Sequence, residues 1–199
     1  LLRHVADVHE AARVFVREGA KVLAADFDPS NAASLADVGS DCVPFHADIS
    51  QEDQVRAMFA RALELFGRVD IVVNNAGTIF NGGDKSLSTE NYEVFTQTNF
   101  LGAMLVTQAA VETMLPQGGG TIINVSSVGS LNTEDRAPIV YSAAKAAVNS
   151  LTKAIAVQYG AQGIRAKVLA PGFTHSEKTL TASRGVIAPM EQKSAFGRA

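Results

Sequence analysis

Short apolar runs rich in β-branched residues alternate along the chain with longer amphipathic stretches, the pattern of strand-helix-strand units that build a parallel sheet. The runs predict strands over Lys21 to Asp26, Val43 to His46, Asp70 to Asn74, Thr121 to Ser126 and Ala166 to Leu169. Between them the periodicity predicts helices over Val5 to Glu18, Gln51 to Phe66, Asn91 to Leu115 and Tyr141 to Tyr159, with a weaker helix over Asn31 to Val38 after Pro29. Ser50 stands where an N-cap is expected, and Gly19, Gly67 and Gly160 stand where helices stop in a left-handed cap. The helices at Asn91 to Leu115 and Tyr141 to Tyr159 are apolar on nearly every face, so each must be covered on two sides. The sheet covers one side. A second copy of the chain is the expected cover of the other, with tight packing of small residues inside one chain as the alternative.

Composition narrows the class. At 199 residues, 47% hydrophobic and 19% charged, the chain fits one globular α/β domain. The net charge of -3 is spread as interspersed signs with no basic stripe, so nucleic acid is not an expected partner. The single cysteine, Cys42, cannot form an internal disulfide, which fits a reducing compartment and a cytoplasmic protein. No uninterrupted apolar run reaches the roughly 18 residues that suggest a membrane span, so no membrane partner is expected. The first residue is Leu1 rather than methionine, and a segment upstream of it is expected.

Tyr141 and Lys145 stand four apart in Tyr-Ser-Ala-Ala-Lys, so on a helix they project from one face. A free tyrosine titrates near 10, and a neighbouring ammonium favours the phenolate. Tyr141 is thereby a candidate general acid/base, although such a pair alone also describes an ordinary helix surface. Upstream, the run Thr-Ile-Ile-Asn-Val ends in Ser126 and Ser127, placing hydroxyls at the carboxyl edge of a parallel sheet, where such folds bind ligands. Ser127 is placed to hydrogen-bond a substrate oxygen. The strand ending at Asn74 runs into Asn75, Ala76 and Gly77, small and polar residues that let a flat ligand approach the backbone. Asn99 falls inside a predicted helix, an unfavourable place for an amide without a partner, and a proton or water relay would supply one.

Asn74 to Gly77, Asn99, Ser127, Tyr141 with Lys145, and Pro171 with Gly172 together resemble the classical short-chain dehydrogenases/reductases in order and approximate spacing, over essentially the whole chain. The resemblance implies a Rossmann-type α/β fold with a doubly wound parallel sheet. It also implies hydride transfer between a nicotinamide cofactor and a secondary alcohol or ketone. Tyr141 then moves the hydroxyl proton, Lys145 lowers its pKa and holds the nicotinamide ribose, Ser127 steadies the substrate oxygen, and Asn99 positions a relay water. Fourteen residues separate Ser127 from Tyr141, one more than is commonest in the family, and Ser126 is the alternative. For the cofactor, Asp26 resembles the carboxylate that binds the adenosine ribose hydroxyls and repels a 2'-phosphate, favouring NAD over NADP. Asp48 and Ile49 resemble the adenine-contacting pair, Asn75, Ala76 and Gly77 the segment beside the adenosine ribose, and Pro171, Gly172 and Thr174 the loop at the carboxamide.

The chain also departs from the family. Its opening strand and glycine-rich turn are not found: the three glycine positions fall on Leu2, Ala6 and Val8. The strand would lie between those ending at Asp26 and Asn74. Ser194 to Arg198 resembles the segment just before the family's last helix and strand, so the fold is expected to be incomplete at both ends. Two readings follow: an oxidoreductase whose sequence is cut at its ends, or a catalytically silent binding or oligomer-forming subunit unable to hold the cofactor. Phe80, Phe173, Met190 and Phe196 flank the two stretches that close over the site in the family and are either pocket or core, and His175 lies in the loop that borders the substrate there or has a structural role. Only 27 residues follow Gly172, which leaves no room for the substrate lobe of a sugar-nucleotide epimerase.

Overall fold

The structure, a computed structural model, describes residues 8–78, 87–132 and 139–172, with the side chain of Asn91 excepted. The helices are α1 Val8–Arg17, α2 Pro29–Ser34, α3 Glu52–Phe66, α4 Thr89–Thr96, α5 Ala103–Met114 and α6 Ile139–Tyr159. The strands are β1 Val22–Asp26, β2 Cys42–His46, β3 Ile71–Asn74, β4 Gly120–Val125 and β5 Ile164–Leu169. All five predicted strands form, within two residues of their expected bounds. Asp28 caps α2 by accepting from the Ser30 and Asn31 amides, and Pro29 occupies its first turn, where a missing N–H costs nothing.

Every strand pair is parallel, with β1 beside β2 and β4 between β3 and β5. The register sets Asp26 opposite His46 and Asn74 opposite Asn124. Among the described residues no ladder joins β1 to β3, so the strands stand as two parallel pieces at the position where an opening strand was expected. On β3, Ile71 and Val73 remain 49% and 37% exposed. The main core gathers Val55 and Phe59 of α3, Val106, Ala110 and Met114 of α5, Ile122 of β4 and Ile164 of β5. A smaller core of Ala12, Ala24, Leu35 and Cys42 joins α1 to the β1–β2 pair, with Val8 packed at its margin.

Three expectations about local structure change. Gln51 rather than Ser50 precedes α3, because Ser50 turns its amide and hydroxyl to the Asp48 carboxylate instead. The helix expected over Asn91 to Leu115 is interrupted by a π-helical turn at Gln97–Gly102, which separates α4 from α5. A Cβ on Gly102 would lie 2.7 Å from the Ile49 side chain, so glycine lets this turn seat closely on the loop after β2. The third change is at the end of α6: Gly160 begins a 3-10 turn, and the left-handed residue is Gly163 at φ 87°. A Cβ there would also stand 2.5 Å from the Gly118 carbonyl. Gly163→Ala is therefore expected to cost about 2 kcal/mol or more, while Gly160→Ala, which meets open space, stays near neutral. Thermal melts of the two variants check the reassigned cap, and equal melting temperatures would refute it.

Candidate active site

Tyr141 and Lys145 sit one turn apart near the start of α6, 6% and 2% exposed. Phe95 of α4 meets the Tyr141 ring edge-on at 6.1 Å between centroids, and Lys145 Nζ lies 5.9 Å from the same ring centre. That amine donates to the Val125 carbonyl at the end of β4, 2.9 Å away. Burial pushes the Lys145 ammonium down to about 8. Burial also pushes the Tyr141 phenol up, opposed by a smaller downward pull from the Ser127 hydroxyl. Burial is thus the largest influence on both groups in this structure. Desolvation of the phenolate outweighs the favourable contacts, and the contact that opposes it is the serine hydroxyl.

Ser127 caps a 3-10 turn, Val128–Ser130, that leaves β4 at the carboxyl edge and packs against α6. Its hydroxyl accepts from the Gly129 amide at 3.2 Å. Ser126, the alternative, is fully buried and bonds the Lys145 carbonyl and Ser130, away from the phenol. Pro171 closes the same corner, its carbonyl accepting from the Val128 amide at 3.1 Å. Gly172 is exposed at the end of that strand connection, and Thr174 lies outside the described residues, as do Leu2, Ala6, Phe80, Phe173, His175, Met190 and Phe196.

Asn99 lies at the centre of the π-helical turn and is fully buried. Its carbonyl oxygen accepts from the Thr78 amide at 3.0 Å and its amide nitrogen donates to the Thr78 carbonyl at 2.8 Å. The side chain thus pairs with the backbone leaving β3 as a neighbouring strand would, which answers how a mid-helix amide is satisfied. Gly77 makes this closeness possible. A Cβ there would stand 2.7 Å from Asn99 Oδ1 and 3.2 Å from Lys145 Nζ. Gly77, Asn99 and Lys145 therefore meet at one point, with Tyr141 a turn away on α6.

A separate cavity of about 150 Å³ opens where β1, β2 and β3 end, lined by Asp26, Phe27, Asp48, Ile49, Ala76 and Thr98 among others. It is smaller than the roughly 300–1,000 Å³ of a whole-ligand pocket, so it suits one end of an extended molecule. Asp26 is 4% exposed. One of its oxygens accepts from the Asp28 amide at 2.8 Å, and the other is buried without a partner. An orphaned buried acceptor wants a donor, and a ribose hydroxyl is one. One oxygen of the Asp48 carboxylate accepts from the Ser50 amide and hydroxyl, and the residue lines the cavity at that turn. Asn75 is 8% exposed and adjoins the same loop. Sequence reasoning missed Phe27 and Thr98. Phe27 was findable as the residue following the strand-terminal carboxylate, whereas Thr98 reaches the cavity only through the π-helical turn.

Comparison with known proteins agrees with this geometry. The family model described as short chain dehydrogenase matches residues 9–185. An uncharacterized oxidoreductase of Thermotoga maritima is 36% identical over 172 residues, covering 84% of this chain and 67% of that one. The human 3-oxoacyl-[acyl-carrier-protein] reductase is 35% identical over 84% of this chain and 71% of its own length. A 7alpha-hydroxysteroid dehydrogenase of Bacteroides fragilis is 32% identical over 81% of this chain and 64% of its own. A crystal structure of a Burkholderia xenovorans protein assigned to the short-chain dehydrogenases/reductases superposes with a TM-score of 0.82 at 29% identity, covering 89% of this chain and 72% of that one.

The fold is thus a Rossmann-type α/β fold of parallel strands and helices, and the chain belongs to the short-chain dehydrogenases. Membership implies an oxidoreductase framework and a nicotinamide cofactor, NAD or NADP. The chain spans about two thirds of the length of the curated relatives it matches. Among the described residues no helix is long and apolar enough to cross a membrane.

The buried amine yields a pH test. Below about 8 folded and unfolded chains both carry the Lys145 proton, and between about 8 and 10.5 the unfolded chain alone carries it. Raising pH through that window therefore favours the folded state, by up to about 3 kcal/mol at 1.36 kcal/mol per unit. Lys145→Met is expected to remove the rise, read as wild-type minus variant stability in denaturant melts at increasing pH. Parallel curves would show that the amine is not desolvated.

Proposed function

We propose that this chain is the core of a NAD-dependent oxidoreductase that interconverts a secondary alcohol and a ketone, with Tyr141 as general acid/base. The observation that carries the reading is Tyr141 and Lys145 buried one turn apart on α6, against the turn that brings Ser127 from the carboxyl edge of β4. A substrate oxygen placed against these two hydroxyls is steadied by Ser127 and exchanges its proton with Tyr141. In the reducing direction the neutral phenol is the competent form, and burial keeps Tyr141 in that form at neutral pH. In the oxidising direction the phenolate takes the alcohol proton, and the Ser127 bond favours that state. Lys145, mostly ammonium near neutral pH, supplies positive charge and a hydrogen-bond donor beside the ring. Asn99, through Thr78, holds the loop after β3 against this centre.

Nicotinamide, when bound, supplies the hydride acceptor and donor that the protein lacks. The residues that would hold the cofactor are Asp26 at the adenosine ribose, Asp48 and Ile49 at the adenine, Asn75, Ala76 and Gly77 along the ribose, and Lys145 with Tyr141 at the nicotinamide end. Pro171, Gly172 and Thr174 belong to the carboxamide loop by the same reading. Asp26 supports NAD, because its unpartnered oxygen welcomes ribose hydroxyls and repels a 2'-phosphate.

Calorimetric titration with NAD, NADH and NADP tests the assignment. Submillimolar NAD(H) binding is expected. Asp26→Asn should weaken NAD at least tenfold and narrow the gap to NADP, and Tyr141→Phe should abolish turnover while sparing binding. A cooperatively folded chain that binds no nicotinamide nucleotide would instead be a silent, SDR-like binding or oligomerisation subunit.

A homo-oligomer in the cytoplasm, acting on a small-molecule alcohol or ketone, completes the reading. It is supported by the outer face of α6, where Ala143, Ala146 and Ala154 are exposed and Val157 is 84% exposed. Light scattering of the purified chain should give a dimer or tetramer that Val157→Glu weakens; a monomer at micromolar concentration would remove the idea.

A further inference from the structure

Beyond β4 a second hydroxyl cluster stands outside the residues assigned so far. Ser130 Oγ lies 2.5 Å from the Ser127 carbonyl, 2.8 Å from Asn149 Nδ2 and 3.0 Å from Ser126 Oγ. A serine hydroxyl has one hydrogen and two lone pairs. The Ser127 carbonyl can only accept, so the Ser130 hydrogen goes to it and both lone pairs are left to accept. One takes the Asn149 amide, and the other faces Ser126. The Ser126 hydroxyl also lies 3.1 Å from the Lys145 carbonyl, so its single hydrogen is shared between the helix and Ser130. Three pieces are bolted together at one oxygen: the end of β4, the turn that carries Ser127, and α6.

Asn149 continues the buried stripe of α6, one turn beyond Lys145 and two beyond Tyr141. It is 8% exposed, and its own carbonyl oxygen is buried with no partner. Burying that oxygen is costly, and a leucine of similar volume would avoid the cost. What the amide gains in return is its bond to Ser130, which must come from an N–H because Ser130 has no hydrogen left to offer.

We propose that Ser130 and Asn149 are positioning residues for Ser127, holding its turn against α6 so that the Ser127 side chain keeps its place beside Tyr141. This rests on the reading that Ser127 and Tyr141 flank the substrate oxygen. Neither residue touches substrate or cofactor; both act through the Ser127 backbone. The coupling is geometric, because Tyr141 and Asn149 ride on the same helix and the serine turn is tied to its middle at Lys145 and Asn149.

The test is an alkaline titration of the Tyr141 phenol by ultraviolet difference spectroscopy against Tyr141→Phe, with a melt at each pH to establish folding. Ser127→Ala should raise the midpoint by about 0.7 unit, the loss of one neutral hydrogen bond to the phenolate. Ser130→Ala and Asn149→Leu should each raise it by a similar amount, and the double variant by no more than either alone, since they act in one chain. Ser130→Thr, which keeps the hydroxyl, should restore the wild-type midpoint. Should Ser130→Ala fail to fold, Asn149→Leu carries the test alone, because it deletes the donor and keeps the volume. Midpoints that stay at the wild-type value while Ser127→Ala moves would overturn the proposal. So would a threonine as damaging as alanine, or a Ser127→Ala variant that itself leaves the midpoint unmoved. No arm uses cofactor or turnover, so failure of NAD binding and failure of this link are read separately.

Discussion

Polar groups buried at the carboxyl edge of β3 and β4 must find hydrogen-bond partners inside the protein, and that requirement fixes how the helices meet the strands. Asn74 and Asn124 stand opposite each other in the ladder, 6% and 0% exposed. Asn74 donates to the Ala103 carbonyl at the start of α5. Asn124 donates to Thr152 of α6 at 2.9 Å, and Thr152 in turn donates to the Val148 carbonyl. Lys145 reaches the Val125 carbonyl, Ser126 the Lys145 carbonyl and Asn99 the backbone of Thr78. Apolar packing alone would let α5 and α6 slide along the strands. These bonds admit one setting, and in that setting Tyr141, Lys145, Ser127 and Asn99 face one another.

The same edge separates two kinds of polar burial. Around Lys145 hydrogen bonds run mainly from side chain to backbone and tie α6, β4 and the loop after β3 together. At Asp26 one carboxylate oxygen is left without a partner beside a cavity, which makes a binding position. An unsatisfied acceptor suits recognition, because its desolvation is repaid only when a ligand donates to it. The loop from Asn75 to Thr78 links the two, bordering the cavity through Ala76 and Gly77 and gripping Asn99 through Thr78.

The lysine shows how magnitudes decide roles. An ammonium beside a phenol in water would lower the tyrosine's pKa, as the four-residue spacing suggested. In the folded chain both groups are desolvated, and desolvation acts on each toward its neutral form. The amine moves to about 8 and the phenol upward. Spacing along a helix told which groups meet, while the dielectric they meet in was set by Phe95, β4 and the turn after it.

Alternation of apolar runs and amphipathic stretches determined the α/β class, the five strands and most helix bounds, because strand and helix periods are local properties of the chain. Tyr141 with Lys145, Ser127, Asn99 and the Asn-Asn-Ala-Gly segment were legible as candidates for the same reason: each stands at a spacing or strand end that a sequence displays. Only the tertiary structure decided what those residues touch. The π-helical turn at Asn99 depends on Thr78, twenty-one residues away, and on the bare Cα of Gly102 against Ile49. The left-handed residue after α6 proved to be Gly163, since that choice depends on the Gly118 carbonyl across the loop. Asp48 turned to Ser50, and Thr98, Ser130 and Asn149 entered the site without any motif. Hydrogen-bond satisfaction in a buried layer is a property of several segments at once, and no window along the chain contains it.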